Sequence, residues 1–142
     1  MSASVHVSGH WYWVETDGGE REDGFLGLAS AESPRLGGLA SVLVCGGYDA
    51  REERTVLGFG ADAALTASVG LQGEYWPAQD GSDGFEADSI DVWCLGLRMD
   101  TAGHRFGLFA GNGTATGPRM LSAGTGSDSP RLGFYIARSL SL

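Results

Sequence analysis

The chain has 142 residues, 42% of them hydrophobic, and a mean hydropathy of −0.06. That suits one domain spanning 1–142, able to bury about two-thirds of its unfolded surface. A formal charge of −9, with all nine basic residues Arg, argues against nucleic acid or an anionic membrane surface as a partner. No apolar run approaches the ~18 residues that a membrane-crossing helix needs, and no charged-then-apolar leader opens the chain. As written it reads as cytoplasmic, or as secreted if a signal peptide has been removed. The expected partners are a small molecule or glycan, with no membrane and no nucleic acid, and with room for a homodimer.

In chain order, Val5 to Val14 alternates as a first strand, with Val5, Val7, Trp11 and Trp13 on one face and His6, Ser8, His10 and Tyr12 on the other. The first set belongs in a core. Thr16 to Gly24 reads as an acidic turn, Phe25 to Ala29 as a second strand and Leu39 to Cys45 as a third. Asp49 to Arg54 is the one stretch where a helical turn is plausible. Thr55 to Gly60 and Ala64 to Trp76 follow as strands, and Pro77 ends the latter because proline cannot donate to a ladder.

Gln79 to Ser89 is an acidic loop. Ile90 to Asn112 is the clearest element: two apolar, aromatic-containing runs flank the polar break Asp100-Thr101-Ala102-Gly103-His104, the pattern of a β-hairpin. Arg119 to Ala123 reads as a short strand and Leu132 to Leu140 as the last one. The fold class expected is all-β: an antiparallel sandwich, prism or closed barrel of about 8–9 short strands.

An apolar-Gly-apolar triplet recurs at Leu26-Gly27-Leu28, Leu57-Gly58-Phe59, Leu95-Gly96-Leu97, Phe106-Gly107-Leu108 and Leu132-Gly133-Phe134. Glycine inside a strand marks a bend or a close approach. These glycines are therefore expected to leave a bare stripe on which another sheet, or a ligand, can lie.

Catalytic chemistry finds little to work with. There is no Gly-x-Ser-x-Gly elbow, and His6 and His10, though on one face, stand ~13 Å apart along a strand, too far to share a metal. Neither Cys-x-x-Cys nor His-Glu-x-x-His occurs, and the glycine clusters lack the spacing of a dinucleotide fingerprint. No catalytic residue, metal site or cofactor is expected. Calcium at the oxygen-rich Asp80–Asp91 loop is the alternative, although its spacing is not that of a helix-loop-helix site. Cys45 and Cys94 read as buried thiols, with a single bridge as the alternative for an exported chain.

The aromatics are the most suggestive set, since rings stack on sugars as readily as they fill cores. Trp93 and one of Trp11 and Trp13 are expected in the core. Tyr12, Tyr75 and Trp76 are expected on a binding surface.

Val56-Leu57, Leu65-Thr66-Ala67-Ser68-Val69-Gly70, Leu95-Gly96-Leu97, Phe106-Gly107-Leu108-Phe109, Gly113-Thr114 and Leu132-Gly133-Phe134 appear in an order that resembles jacalin-related lectins over residues 56–134. The resemblance implies a carbohydrate site with the loop Gly124 to Asp128 in the sugar-binding role. Here that loop precedes the Leu132 strand, whereas in the family it follows. Gly9-His10-Trp11 is similar to the Gly-x-Trp of calycin barrels such as avidins and lipocalins, which implies a pocket beside His10 and Tyr12.

The reading is thus a non-catalytic binding module. Carbohydrate is the first ligand, held by ring stacking from Tyr75 or Trp76 and by hydrogen bonds from Asp128 and the Gly124 loop. The alternative is a small barrel enclosing a hydrophobic molecule, in the manner of a cyclase. A structural or oligomer-forming protein is the third.

Overall fold

The computed structural model describes residues 3–15, 18–79, 89–113 and 117–138. It is all-β, as expected: eight antiparallel strands form one sheet whose spatial order is the sequence order, a continuous meander. The strands are β1 (Ser4–Glu15), β2 (Arg21–Glu32), β3 (Ala40–Asp49), β4 (Arg54–Ala64), β5 (Val69–Trp76), β6 (Val92–Thr101), β7 (His104–Gly111) and β8 (Arg131–Arg138). Among the described residues β1 and β8 are not paired with each other, so the sheet is not closed.

Three elements differ from expectation. β2 begins at Arg21, inside the stretch read as an acidic turn, because its polar residues continue the ladder with β1 as far as Glu15. The fifth strand starts only at Val69, after a bend at 65–68 in which the Thr66 hydroxyl accepts the N–H groups of Ser68 and Val69. The stretch Arg119 to Ala123, expected as a strand, forms most of α1 (Pro118–Ser122) and its C-cap, the one helix among the described residues. Proline in the first helical turn is pre-set for helix and gives up only an N–H that would be unpaired there.

Asp49 to Arg54 forms the β3–β4 turn. Asp49 Oδ1 accepts the backbone N–H groups of Arg51 and Glu52 at 3.1 and 3.2 Å, the Asx-type bonding that favours a turn over a helix.

The register separates the side chains into two faces. One row of directly paired residues runs Val5, Ala31, Val44, Phe59, Tyr75, Trp93 across β1 to β6. A second runs Ala40, Ala63, Leu71, Leu97, Leu108, Phe134 across β3 to β8. These rows lie on one apolar face. The opposite face carries Tyr12, Asp49, Arg54, Asp62, Glu74 and Arg98.

The core sits on the polar face. Leu26, Cys45, Val56, Trp76 and Val92, from β2 to β6, gather with Leu121 of α1, and Tyr12 and Leu28 pack against them. One short helix touching side chains from so many strands places this face on the inside of the sheet's curvature.

The triplet glycines explain part of that curvature. Four of the five, Gly58, Gly96, Gly107 and Gly133, lie on the polar face, and rings from neighbouring strands fill the stripe. A β-carbon at Gly58 would stand 2.5 Å from the ring of Trp76, and one at Gly107 would enter the ring of Tyr135. Phe109 covers Gly133 in the same way. The bare stripe is therefore occupied from within the sheet, where a second sheet or a guest was expected. Glycine kinks closed over by aromatic side chains are a recognised means of bending a sheet tightly.

Candidate functional site

The apolar face is uncovered. Val7 and Trp11 are each 80% exposed, Leu132 82% and Phe134 77%. The expectation that Trp11 or Trp13 lies in the core is corrected: both are exposed on this face, and Trp93, also expected in the core, is only half-buried. The reversal follows from their strand. Core packing is on the other face, where β1 contributes Tyr12.

Charge is absent from the middle of the apolar face and appears at its ends. Glu15, Arg21 and Asp23 stand at one end, and His104 and Arg138, directly paired, at the other. Aromatic residues gather toward the first end: Trp11, Trp13, Phe25, Tyr48, Tyr75 and Trp93 lie at or near the strand termini that meet there. The rings of Trp11 and Phe25 approach to 5.1 Å, and the Arg21 guanidinium lies 4.8 Å from the centre of the Trp13 ring.

The polar face holds its charges in paired groups. At the aromatic end, Arg119 of α1 bridges three partners. Its Nε lies 3.2 Å from Asp49 Oδ2, its Nη2 donates to Glu52 Oε1 at 2.5 Å, and its guanidinium sits 4.6 Å over the ring of Tyr12. Tyr12 Oη donates to Asp49 Oδ1 at 2.5 Å. Asp49, Glu52 and Arg54 are each at most 2% exposed. Burial pushes the Tyr12 hydroxyl above its ordinary pKa, and the Asp49 carboxylate adds to the shift.

At the opposite end, Arg98 donates to Asp62 at 2.6 Å and lies 3.0 Å from Asp100, which also accepts from Arg105 at 2.6 Å. Arg105, and Arg98 more weakly, holds Asp100 below the usual carboxylate range. Between these two ends the face carries the core and an open hollow of about 240 Å³ lined by Gln72, Glu74, Cys94, Phe109 and Tyr135. Both cysteines are free; burial raises the pKa of each thiol.

The residues expected to bind ligand are spread over the two faces. His10 and Tyr12 are on the polar face, His10 exposed with Nε2 3.0 Å from Ser8 Oγ, and Tyr12 tied into the Arg119 group. Trp76, expected on a surface, is 8% exposed and fills the space left by Gly58, because its strand position faces the core. Tyr75 is on the apolar face, its hydroxyl donating to Asp91. Trp93, its cross-strand partner, donates through Nε1 to Asp128 Oδ1 at 3.4 Å, so Tyr75 and Asp128 meet around one indole. Gly124, at φ 81°, caps the turn after α1.

The Asp80–Asp91 loop falls largely on residues 80–88, outside the described ones. Asp91 itself accepts from Tyr75 and from the Ala78 N–H, which hold it below the usual carboxylate range. Among the described residues no three His, Cys, Asp or Glu side chains gather as a metal site. Asn112, part of a formal glycosylation motif, is fully buried. It donates to the Asp91 carbonyl at 2.8 Å and accepts the Trp93 N–H at 2.9 Å.

Sequence reasoning missed the group Asp49–Glu52–Arg119. Arg119 is 67 residues beyond Glu52 in the chain, and no local pattern links a turn after β3 to a helix before β8.

No protein-family model matches the chain, and no match was found among curated proteins or solved structures. No helix of the described residues is long and apolar enough to cross a membrane.

Proposed function

We propose that the chain is a membrane-embedded β-barrel. In this reading the eight strands close with β8 beside β1, the apolar face meets lipid hydrocarbon, and the paired charges point inward. The observation that carries it is the inversion of the two faces. An antiparallel sheet in a water-soluble protein buries its apolar face and shows water the polar one. Here the apolar side chains are exposed on all eight strands, while the core and the ion pairs of Arg98 and Arg119 lie on the other face.

The register supports closure. A row of paired residues leaves β1 at its first residue, Ser4, and passes Glu32, Leu43, Gly60, Glu74, Cys94 and Gly111. It reaches β8 at its first residue, Arg131, on a strand running the opposite way. The row thus climbs from one end of the sheet to the other, the stagger that tilted strands need to close a barrel. Strands of 8 to 12 residues also suit the purpose. About ten residues tilted near 40° span ~25 Å, the height of the apolar band on membrane barrels, which carry aromatic rings at its margins.

An eight-stranded barrel has an interior that side chains fill. The reading is therefore a non-catalytic membrane module with α1 set across one end, and no wide solute channel. It takes the place of the no-membrane expectation: that rested on net charge and the want of an apolar helix, and neither bears on a barrel that crosses with strands. It also favours lipid outside over an apolar guest inside, since the inner face carries ion pairs.

The test is refolding of the full chain from urea into phosphatidylcholine vesicles. Expected are vesicle association that survives a urea wash, protease protection, and quenching of Trp11 and Trp13 emission by lipids brominated along the acyl chain. A monomer stable in detergent-free buffer that ignores vesicles would sink the reading. A water-soluble dimer with shielded tryptophans would favour a second copy over the same face.

Carbohydrate binding is the second reading, favoured by the meeting of Tyr75, Trp93, Asp91 and Asp128 at the aromatic rim. On a glycan array, Asp128→Ala should then lose whatever binding the parent chain has.

A further inference from the structure

The end of the sheet opposite the aromatic rings holds two hollows of different chemistry, the second reaching round the rim to residues of both faces. One, of about 370 Å³, is almost purely apolar and is lined by Val69, Met99, Phe106, Phe134 and Ile136 among others. The next, of about 340 Å³, is lined by Asp100, Thr101, His104, Arg105 and Arg138. The register puts them in line. His104 pairs with Arg138, and two residues along the same strands Phe106 pairs with Ile136, on the same face. The His104 and Phe106 rings stack at 6.2 Å, so the basic pair stands directly at the mouth of the apolar groove.

Asp100, the carboxylate of the polar hollow, is engaged by Arg98 and Arg105. No ion pair with Arg138 occurs among the described residues. Arg138 and His104 are both exposed.

We infer that this rim binds one anionic phospholipid, its phosphate held between Arg138 and His104 and an acyl chain lying in the Phe106–Phe134 groove. The inference rests on the membrane reading and adds to it a headgroup preference and a position. Its basis is charge complementarity at the rim, next to an apolar hollow of about 370 Å³. It runs against the net charge of −9, which would repel anionic lipid in general, so any preference must be local.

The experiment uses the full chain in vesicles of phosphatidylcholine alone or mixed with phosphatidylglycerol. Insertion is read by protease protection, and retained lipid by mass spectrometry after gentle detergent extraction. The expected result is insertion in both and preferential retention of phosphatidylglycerol. Arg138→Gln should lower that retention about fivefold, the worth of one arginine near an anionic headgroup. His104→Gln should lower it further in the double variant, and Phe106→Ala should lower retention with Arg138 and His104 both in place. Arg131→Gln, at the other end of β8 on the inner face, should leave it unchanged. Inorganic phosphate should not displace the lipid, since it brings no acyl chain.

Retention that Arg138→Gln and the double variant leave intact, in chains that still insert, overturns the lipid site alone. Competition by phosphate at equal effect in parent and Phe106→Ala overturns the groove and leaves an anion site. Failure of the parent chain to insert in either vesicle overturns the membrane reading, and this inference with it.

Discussion

The ring of Tyr135 occupies the space where Gly107 would carry a β-carbon, so this glycine is required by a close approach. Gly107→Ala forces the ring off its place and should cost about 1–3 kcal/mol by overpacking. Gly46, on the apolar face, has nothing within 4 Å of where a β-carbon would stand, and Gly46→Ala should change stability by no more than about 0.5 kcal/mol. Denaturant midpoints of the two variants test the contrast. Tyr12 offers a second measurement at this scale. Its pKa is raised in the folded chain, so folding binds the phenolic proton more tightly than the unfolded state does. The stability this contributes is complete below about pH 10 and is lost as pH climbs through the raised value. The parent chain should therefore weaken more steeply above pH 10 than Tyr12→Phe, as read from melting curves across that range.

Among the elements, α1 has a weight out of proportion to its five residues. It carries Leu121 into the core and Arg119 into the buried carboxylates, and thereby fastens the β7–β8 connection to β1, β3 and the β3–β4 turn. Arg119→Ala leaves Asp49 and Glu52 without that partner and should cost about 3 kcal/mol, at the lower end of the range for breaking a buried pair because Arg119 is partly exposed. Leu121→Ala should cost about 2–5 kcal/mol as a buried large-to-small change. Hydrogen exchange separates the two. Arg119→Ala should speed exchange in α1 and the β3–β4 turn before the sheet, whereas Leu121→Ala should also loosen β5 and β6. Equal loss throughout would mean that α1 is not a distinct fastening.

For the molecule as a whole the decisive property is which face meets which medium. Leu97 and Gln72 occupy neighbouring ladder positions on opposite faces, Leu97 beside Leu71 and Gln72 beside Gly96. In a barrel within lipid, Leu97→Arg near mid-membrane should cost about 2–4 kcal/mol of folding free energy into vesicles. Gln72→Arg, facing inward beside the Asp62 group, should cost far less. In water with a bare sheet the order would reverse, since the added charge at Leu97 would be solvated. Folding titrations of both variants in vesicles distinguish these cases.

Alternation of apolar and polar residues, turn chemistry and the glycine triplets made the strands legible: the all-β class, the hairpin around Gly103 and the pairing of Val5, Val7, Trp11 and Trp13 on one face were all written in local pattern. Period-two alternation states which residues share a face but carries no information on which face turns inward, and the large apolar set reads as core only where the surrounding medium is water. The tertiary structure decided otherwise, through contacts between residues far apart in the chain: Trp76 over Gly58, Tyr135 over Gly107, and Arg119 reaching Tyr12, Asp49 and Glu52. Those contacts bend the sheet around its polar face, and curvature is a collective property of eight strands that no single stretch of sequence encodes.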